Sequence, residues 1–215
     1  MSLLVAVESS SNEYRVVIGL DGEAVFDSAV DECDLPFRTL GALLSCGLER
    51  VGASASEIKG VTINIGPGSL TFVRAGISFV NALAFSLKVS IYPFNWFEII
   101  AAQTKDATEL PVICAVPASN DNAYVGLIRG ESVEIMRFGP LPEAFAKVGD
   151  GISEAAVAGR IRHKLAALIG EAKDTGIENP DARVLLKLAH QAWKDGERAT
   201  AQVEALNDQS DIFYE

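Results

Sequence analysis

The sequence is poor in residues that bind metals or cross-link a fold. It has only two histidines, His163 and His190, and three cysteines among 215 residues. The histidines show no HExxH or paired spacing, so metalloprotease chemistry lacks its ligands. The cysteines, Cys33, Cys46 and Cys114, are odd in number and include no CxxC pair. This pattern predicts buried free thiols in a reducing compartment and no disulfide framework.

Basic residues are also scarce, with 18 Lys and Arg against 29 Asp and Glu, a net charge of -11 and a pI near 4.7. Such an acidic chain gains no counterion-release energy on nucleic acid, so direct binding is not expected. Arg74, Lys88 and Glu98 interrupt the apolar stretches, which predicts no membrane span. The start, Met1–Val5, lacks a basic region and predicts a first strand and a cytoplasmic protein, with no signal peptide.

Hydrophobic patterning in the first half predicts alternating strands and helices. Three strands, Leu3–Val7, Tyr14–Leu20 and Glu23–Val30, form a meander whose second turn is Asp21-Gly22. A helix then begins at an Asp34 N-cap and ends at Gly52, and Ser54 to Glu57 matches a capping box. The remaining elements are a strand over Val61–Ile65, a helix over Leu70–Lys88, a strand over Val89–Tyr92 and a helix over Trp96–Lys105.

The second half repeats the order of elements. It begins with three strands and continues with two helices, after which Ala199–Glu215 is irregular. We therefore expect a duplicated unit whose second copy is reduced, with lobes over residues 1–108 and 109–215. The strands are Val112–Val116, Tyr124–Ile128 and Ser132–Phe138, and the helices are Glu154–Ile169 and Asp181–Asp195.

Gly66-Pro67-Gly68-Ser69 joins a buried strand to the long helix and is the best-marked local motif. A glycine loop at a helix N-terminus exposes backbone N–H groups, which is the physical basis of phosphate binding. Neither a Walker A lysine nor a third dinucleotide glycine is present, so a tight packing turn explains the loop equally well. Glu8, at the end of the first strand, is either a metal-positioning acid of a phosphotransferase or a solvated rim residue.

The long helix is apolar around well over half of its circumference. Its polar residues, Thr71, Arg74, Ser78, Asn81 and Lys88, fall on one narrow stripe. Either the helix is sandwiched inside the fold or its spare face meets another subunit. The candidate interface residues are apolar or small and lie on this helix and the one before it: Leu40, Leu44, Phe72, Ala75, Gly76, Phe79, Val80, Leu83 and Ala84.

The segment Asn64–Gly76, followed by Ala82–Phe85, closely resembles a signature of the bacterial TsaB (YeaZ) family. Val5–Ser10 resembles the opening strand of that family, and weaker similarities at Val148–Gly151 and Ile212–Glu215 follow in the same order. The resemblance implies an α/β actin-like fold (ASKHA, ribonuclease-H-like) of duplicated βββαβα lobes. It further implies an accessory protein of tRNA threonylcarbamoyladenosine (t6A) synthesis.

Members of that family are non-catalytic dimerisation or scaffold subunits that activate a homologous catalytic subunit, TsaD. The resemblance thus implies a TsaD-like partner, with a TsaE-like ATPase as a further one, and leaves a homodimer in isolation open. It implies no catalytic residue, no metal, no direct tRNA contact and no cofactor beyond weak or vestigial ATP or ADP binding. The residues of that vestigial phosphate loop are Glu8, Ser9, Gly66, Gly68 and Ser69.

Three positions depart from the pattern of the family and mark a divergent member. Glu8 stands for the usual Asp, Phe72 for the usual Gly and Glu215 for the usual Arg. The Phe72 ring either crowds the first turn of the helix or serves as a knob into a partner. The alternative function is an actin-like ATP-binding phosphotransferase or nucleotide hydrolase that uses Glu8 with the glycine loop.

Overall fold

A computed structural model describes residues 2–214, which fall into two units with separate hydrophobic cores. The first unit contains the chain up to Asn95 together with Asp181–Ala205. The second contains Trp96–Pro180 together with the segment from Leu206 onward. Each unit is built on one five-stranded sheet.

The sheet of the first unit has the order β3-β2-β1-β4-β5. Its centre, β1, pairs antiparallel with β2 and parallel with β4, and β5 continues the parallel side. The predicted meander around the Asp21-Gly22 turn is confirmed. The strand bounds are β1 Leu3–Glu8, β2 Arg15–Leu20, β3 Glu23–Asp27, β4 Ile58–Asn64 and β5 Ser90–Phe94.

Helices α1 (Leu40–Val51) and α2 (Leu70–Leu87) belong to this unit. The predicted start of α1 at Asp34 is wrong, because the side chain of Thr39 accepts the N–H of Ala42 and caps the helix there. Gly52, with φ of 68°, ends α1 as predicted. The capping box of Ser54 and Glu57 is also present and starts a short 3-10 turn.

The second unit repeats the strand topology in full. Its order, β10-β9-β6-β7-β8, matches β5-β4-β1-β2-β3 position by position. The reduction lies in its helices: α4 (Leu141–Val148) and α5 (Arg162–Ala166) have 8 and 5 residues, against 12 and 18 in α1 and α2. The strands are β6 Val112–Pro117, β7 Asn122–Arg129, β8 Ser132–Pro140, β9 Glu154–Ala158 and β10 Glu171–Asp174.

The predicted helix over Glu154–Ile169 is wrong in its first half. The segment Glu154–Ala158 is the buried strand β9, which pairs parallel with β6, and only Arg162–Ala166 is helical. The alanines favour a helix locally, but parallel pairing inside a sheet overrides that preference. The predicted helix at the other end of the tail is confirmed as α6 (Ala182–Asp195), capped by Asp181.

The boundary between the units differs from the predicted one after residue 108. Helix α3 (Trp96–Thr104) belongs to the second unit because Trp96 and Phe97 are fully buried in its core. Conversely, α6 returns to the first unit and packs on its sheet, with Leu186 filling the space above Gly19. Compared with the predicted lobes, α3 thus belongs to the second unit and α6 to the first.

The prediction of three free thiols is wrong for two of them. Cys33 and Cys46 form a disulfide whose Cα atoms are 6.3 Å apart. The segment between β3 and α1 turns back along the helix, so two cysteines with no recognisable spacing become neighbours. Cys114 is free and buried, as predicted, and burial raises the pKa of its thiol.

Candidate functional site

The end of β1 carries a buried polar cluster in the first unit. Glu8 is only 4% exposed, and its Oε1 accepts hydrogen bonds from the amide and the hydroxyl of Ser10, both at 2.6 Å. Its Oε2 accepts a third bond from Asn64 Nδ2 at 2.8 Å. Three donors thus surround one carboxylate, and the predicted alternative of a solvated rim residue is wrong.

The register of the sheet brings these residues together. Strands β1 and β4 are parallel and adjacent, with Val7 paired to Ile63, so Glu8 and Asn64 end at the same edge. Carboxyl-terminal edges of parallel strands are the usual place for polar sites in open α/β sheets. The spacing along the sequence is 56 residues, so only the fold makes the contact.

Burial and hydrogen bonding shift the pKa of the Glu8 carboxyl in opposite directions. Burial raises the pKa of Glu8, while hydrogen bonds from Ser10 and Asn64 and the nearby positive charge of Arg15 lower it; burial is the larger effect. Arg15 itself is held by Asp27 across the neighbouring strands. The cluster therefore holds an acid that burial pushes toward its neutral form and that the Ser10 and Asn64 donors help to keep ionised.

The glycine loop closes over this cluster. Gly66, with φ of 103°, donates its N–H to Asn64 Oδ1 at 2.9 Å, and Ser69 donates its N–H to the Ser10 carbonyl at 3.0 Å. A Cβ on Gly68 would lie 2.6 Å from Ser10 Cβ, so only glycine permits this approach. The loop is thus packed against the β1 end rather than open to it.

An actin-like fold implies a nucleotide phosphate near such a loop, and these residues do not fit one. The Ser10 and Asn64 donors are directed at Glu8, and the Gly66 and Ser69 amides at internal oxygens. A phosphate at this place would lie beside a buried carboxylate of the same charge, which is unfavourable. Of the predicted loop residues, the structure brings Glu8, Gly66, Gly68 and Ser69 together, with the Ser69 amide bonded to Ser10 and the Gly66 amide to Asn64.

Ser9 points away from this cluster. Its Oγ is buried and has no hydrogen-bond partner among the described residues, and it lies beneath Gly76 of α2. A Cβ on Gly76 would be only 2.4 Å from this oxygen. Ser9 therefore packs the helix against β1 rather than lining a site.

Replacing Glu8 by alanine is expected to lower the free energy of unfolding by about 2 kcal/mol. Each buried donor left without an acceptor costs roughly 1–3 kcal/mol, and relief of the buried charge offsets part of that loss. Urea unfolding followed by circular dichroism measures the change. Glu13→Ala, an exposed carboxylate on the same hairpin, is the matched control and should be neutral. Equal stability of the two variants would contradict the cluster.

Helix α2 buries five of its 18 residues in the first unit. Five of the nine predicted interface residues are buried in the first unit and offer little surface, so their part in an interface stays a prediction. They contact the sheet and each other because the amphipathic stripe of each helix faces the core. These buried residues are Leu40, Leu44, Gly76, Val80 and Ala84.

The other four, Phe72, Ala75, Phe79 and Leu83, are half-buried. The Phe72 ring packs against Tyr14 of the first hairpin, with centroids 5.0 Å apart, so it is turned toward its own unit. Sequence reasoning missed Phe85, which is 86% exposed. Phe85 continues the exposed line of Thr71, Arg74 and Ser78 along the helix, which is the signal that could have identified it. We call Ala75, Phe79, Ala82 and Phe85 the outer face of α2.

By length and composition alone, α2 also passes as a membrane-spanning helix, with a mean hydropathy of 1.5. One such helix is weak evidence, since core helices of globular proteins meet the same test. Its buried stripe packs on β4 and β5, and the helix carries the charged residue Arg74 on its exposed side. Among residues 2–214, no group of three or more His, Cys, Asp or Glu side chains is arranged to hold a metal ion.

The duplicated five-stranded unit, whose sheet contains two antiparallel and two parallel strand pairings, has the α/β actin-like fold, as predicted. YeaZ from Pseudomonas aeruginosa shares this fold at a TM-score of 0.75 and 24% identity, covering 96% of this chain and 100% of that one. A second P. aeruginosa structure, described as similar to peptidase YeaZ, matches at 0.76 and 21% identity, covering 96% and 99%.

The family model described as "TsaD: tRNA N6-adenosine threonylcarbamoyltransferase" matches residues 38–180. Threonylcarbamoyltransferases of Geotalea uraniireducens and Enterococcus faecalis are each 25% identical, over 142 and 168 residues. These matches cover 57% and 68% of this chain but only 41% and 48% of the relatives, so the chain spans less than half of their length. The chain belongs to the TsaD family and, as its signature predicted, resembles the TsaB (YeaZ) members of it.

Proposed function

We propose that this protein is a non-catalytic subunit in tRNA threonylcarbamoyladenosine synthesis. It pairs with a TsaD-type catalytic subunit and stabilises the active arrangement of that partner by binding it. The observation that carries the proposal is the outer face of α2, an apolar surface on the longest helix of the first unit.

The composition of that face supports a protein partner. Phe85 is 86% exposed and Ala82 is exposed, while Ala75 and Phe79 add half-buried apolar surface beside them. Exposed aromatic side chains flanked by small residues are typical of interface centres, since the ring fills a pocket while small neighbours allow close approach. The polar residues Arg74 and Ser78 precede Phe85 on the same exposed line of the helix and suit the polar end of such a surface.

The β1 end supports a subunit without chemistry of its own. The Glu8 carboxylate is surrounded by internal donors, and the glycine loop packs on Ser10. A phosphotransferase of this fold needs an accessible acid and open amide donors at that place. The proposed subunit accordingly needs no nucleotide or metal, and the partner supplies the transferase site.

Phe85→Asp is expected to weaken binding to the TsaD-type subunit of the same organism by at least tenfold. A charge placed at the centre of an apolar interface loses the buried ring and leaves a carboxylate unpaired. Affinity is measured by titration calorimetry, and co-purification on a tagged partner gives a qualitative check. Unchanged unfolding of the isolated variant shows that the effect lies in binding.

Leu168→Asp is the matched control, because it adds the same charge at an exposed leucine of the second unit, 41% exposed. It should bind like the unmodified chain. Ala82→Arg tests the same face with a charge of opposite sign. Full affinity of both Phe85→Asp and Ala82→Arg would remove α2 as the interface. No affinity of the unmodified chain for the partner would overturn the function itself.

A further inference from the structure

The Cys33–Cys46 disulfide joins the segment before α1 to the middle of that helix. Residues 28–39, between β3 and α1, form neither strand nor helix. Cys33 lies within this segment, and Cys46 lies on α1, 13 residues further along the chain. The bond is therefore a covalent tether between an irregular segment and a regular element.

Few other contacts hold residues 32–38 in place. The Arg50 guanidinium donates to the Glu32 carbonyl, the Arg38 guanidinium donates to the Ser28 carbonyl, and Cys33 and Leu35 are partly buried against the core. Phe37 is 77% exposed, and Asp34 is exposed as well. Segments without ladder hydrogen bonds and with little buried apolar surface open at low cost in free energy. Without the disulfide, this segment has the features of a locally mobile loop.

The disulfide is accessible from solvent. An open cavity of about 470 Å³ is lined by both cysteines together with Glu32, Asp34, Glu49 and Arg50. Both cysteines are half-buried. A thiol reagent therefore has a path to the sulfur atoms. Cys114 is fully buried in the second unit, which makes it an internal control for thiol reactivity.

We propose that Cys33 and Cys46 form a redox-controlled clasp that fixes residues 32–38 on α1 when oxidised and releases them when reduced. The reductant is a dithiol, either a small molecule or a dithiol protein. Its thiolate attacks one Sγ, the S–S bond breaks, and a mixed disulfide forms. The second thiol of the reductant then displaces the cysteine, leaving two protein thiols and an oxidised dithiol. Reclosure releases two electrons and two protons from the two cysteine thiols, and an added disulfide such as glutathione disulfide accepts them and is reduced to two thiols.

The clasp adjoins the outer face of α2. Gly41 on the first turn of α1 faces the Phe79 ring, since a Cβ there would lie 4.0 Å from Phe79 Cε2. Because residues 32–38 lead directly into this first turn of α1, we expect their release to reach the surface beside that ring. The consequence for partner binding rests on the proposed function, whereas the clasp itself is tested on the isolated chain.

Hydrogen exchange of the full chain with mass spectrometry tests the clasp. After reduction by dithiothreitol, amides of residues 32–38 should exchange at least tenfold faster, while those of β1 and β4 stay unchanged. Glutathione disulfide should restore the slow exchange. The exchange rates of Cys33→Ser should match those of the reduced protein under all conditions. Alkylation of the reduced but folded unmodified chain should label Cys33 and Cys46 but not Cys114.

Two results would overturn the proposal. The first is equal exchange of residues 32–38 in the oxidised and reduced proteins once mass shows that the bond has been cut. The second is a disulfide that fails to form, or fails to be reduced, across the range of glutathione ratios found in cells. Either result is independent of whether a TsaD-type partner binds.

Discussion

Asp27→Ala is expected to lower the free energy of unfolding by about 3 kcal/mol, the largest loss from any single carboxylate of the first unit. The side chain of Asp27 is 2% exposed. Arg15 donates to both of its oxygens, at 2.9 and 2.5 Å, and Arg183 donates to Oδ2 at 2.6 Å. Removing the acid leaves the mostly buried Arg15 guanidinium with its longer pair to Asp181 at 3.3 Å, and loss of a buried ion-pair partner typically costs 3–5 kcal/mol. The partial exposure of Arg183 places the expected loss at the lower end.

The position of Asp27 explains why the effect extends beyond one ion pair. It ends β3, Arg15 begins β2, and Arg183 lies on the first turn of α6. One carboxylate thus joins the edge of the sheet to a helix that returns from the far end of the chain. Asp174→Ala is the control, because that acid pairs with Arg162 at the surface and is 57% exposed. Such pairs contribute at most about 1 kcal/mol.

The same carboxylate predicts a pH dependence of a definite sign. Burial raises the pKa of Asp27, but hydrogen bonds from Arg15, the Ala29 amide and Arg183 outweigh it and lower the pKa from 3.8 to about 2. Between these values the unfolded chain binds more protons than the native one. The stabilisation is therefore complete above the unfolded pKa of 3.8 and is lost as pH falls toward 2.

The difference in unfolding free energy between the unmodified chain and Asp27→Ala measures the contribution of the Asp27 side chain to stability. It should shrink by about 2 kcal/mol between pH 5 and pH 2, following 1.36 kcal/mol per pKa unit. Urea unfolding at several pH values gives the difference. A gap that stays constant over that range would show that the native pKa of Asp27 is ordinary.

Local signals in the sequence predicted the elements that depend on few residues. The Asp21-Gly22 turn, the Gly52 stop and the Asp181 cap each act within a few positions, where side-chain hydrogen bonds and positive φ decide the outcome. Strand β9 was missed because an alanine-rich run carries no mark of the β6 strand that it joins. Its state depends on pairing with residues far away in the sequence.

In the candidate site, too, local signals were predicted and contacts between distant residues were not. The sequence placed Glu8 at a strand end and the glycine loop at a helix start, and both are found there. The three donors around the Glu8 carboxylate depend on the side chain of Asn64, which only the parallel register brings near. Likewise, the apolar pattern of α2 identified an amphipathic helix but not how its apolar residues divide between core and surface, so Gly76 was assigned to the interface.

Gly76→Val separates those two assignments and is expected to destabilise the isolated chain by about 3 kcal/mol. A Cβ at this position would lie 2.4 Å from Ser9 Oγ and 3.2 Å from Ile63 Cδ1. Valine adds two methyl groups to that contact, so α2 must move away from β1 and β4, and overpacking of this kind costs about 1–3 kcal/mol. The unpartnered Ser9 hydroxyl has no freedom to withdraw into solvent because it is fully buried.

Ala75→Val is the matched control, one residue along the same helix and half-buried on the outer face. Its only intrinsic penalty is the lower helix propensity of valine, about 0.5 kcal/mol. Urea unfolding of both variants gives the comparison, and partner titration of each gives the binding. A stable Gly76→Val chain that loses only its partner would return Gly76 to the interface. A destabilised Gly76→Val chain, beside a stable Ala75→Val chain that binds the partner less well, places Gly76 in the core and Ala75 on the interface. The Gly66–Ser69 loop then has the role of holding α2 close to the sheet.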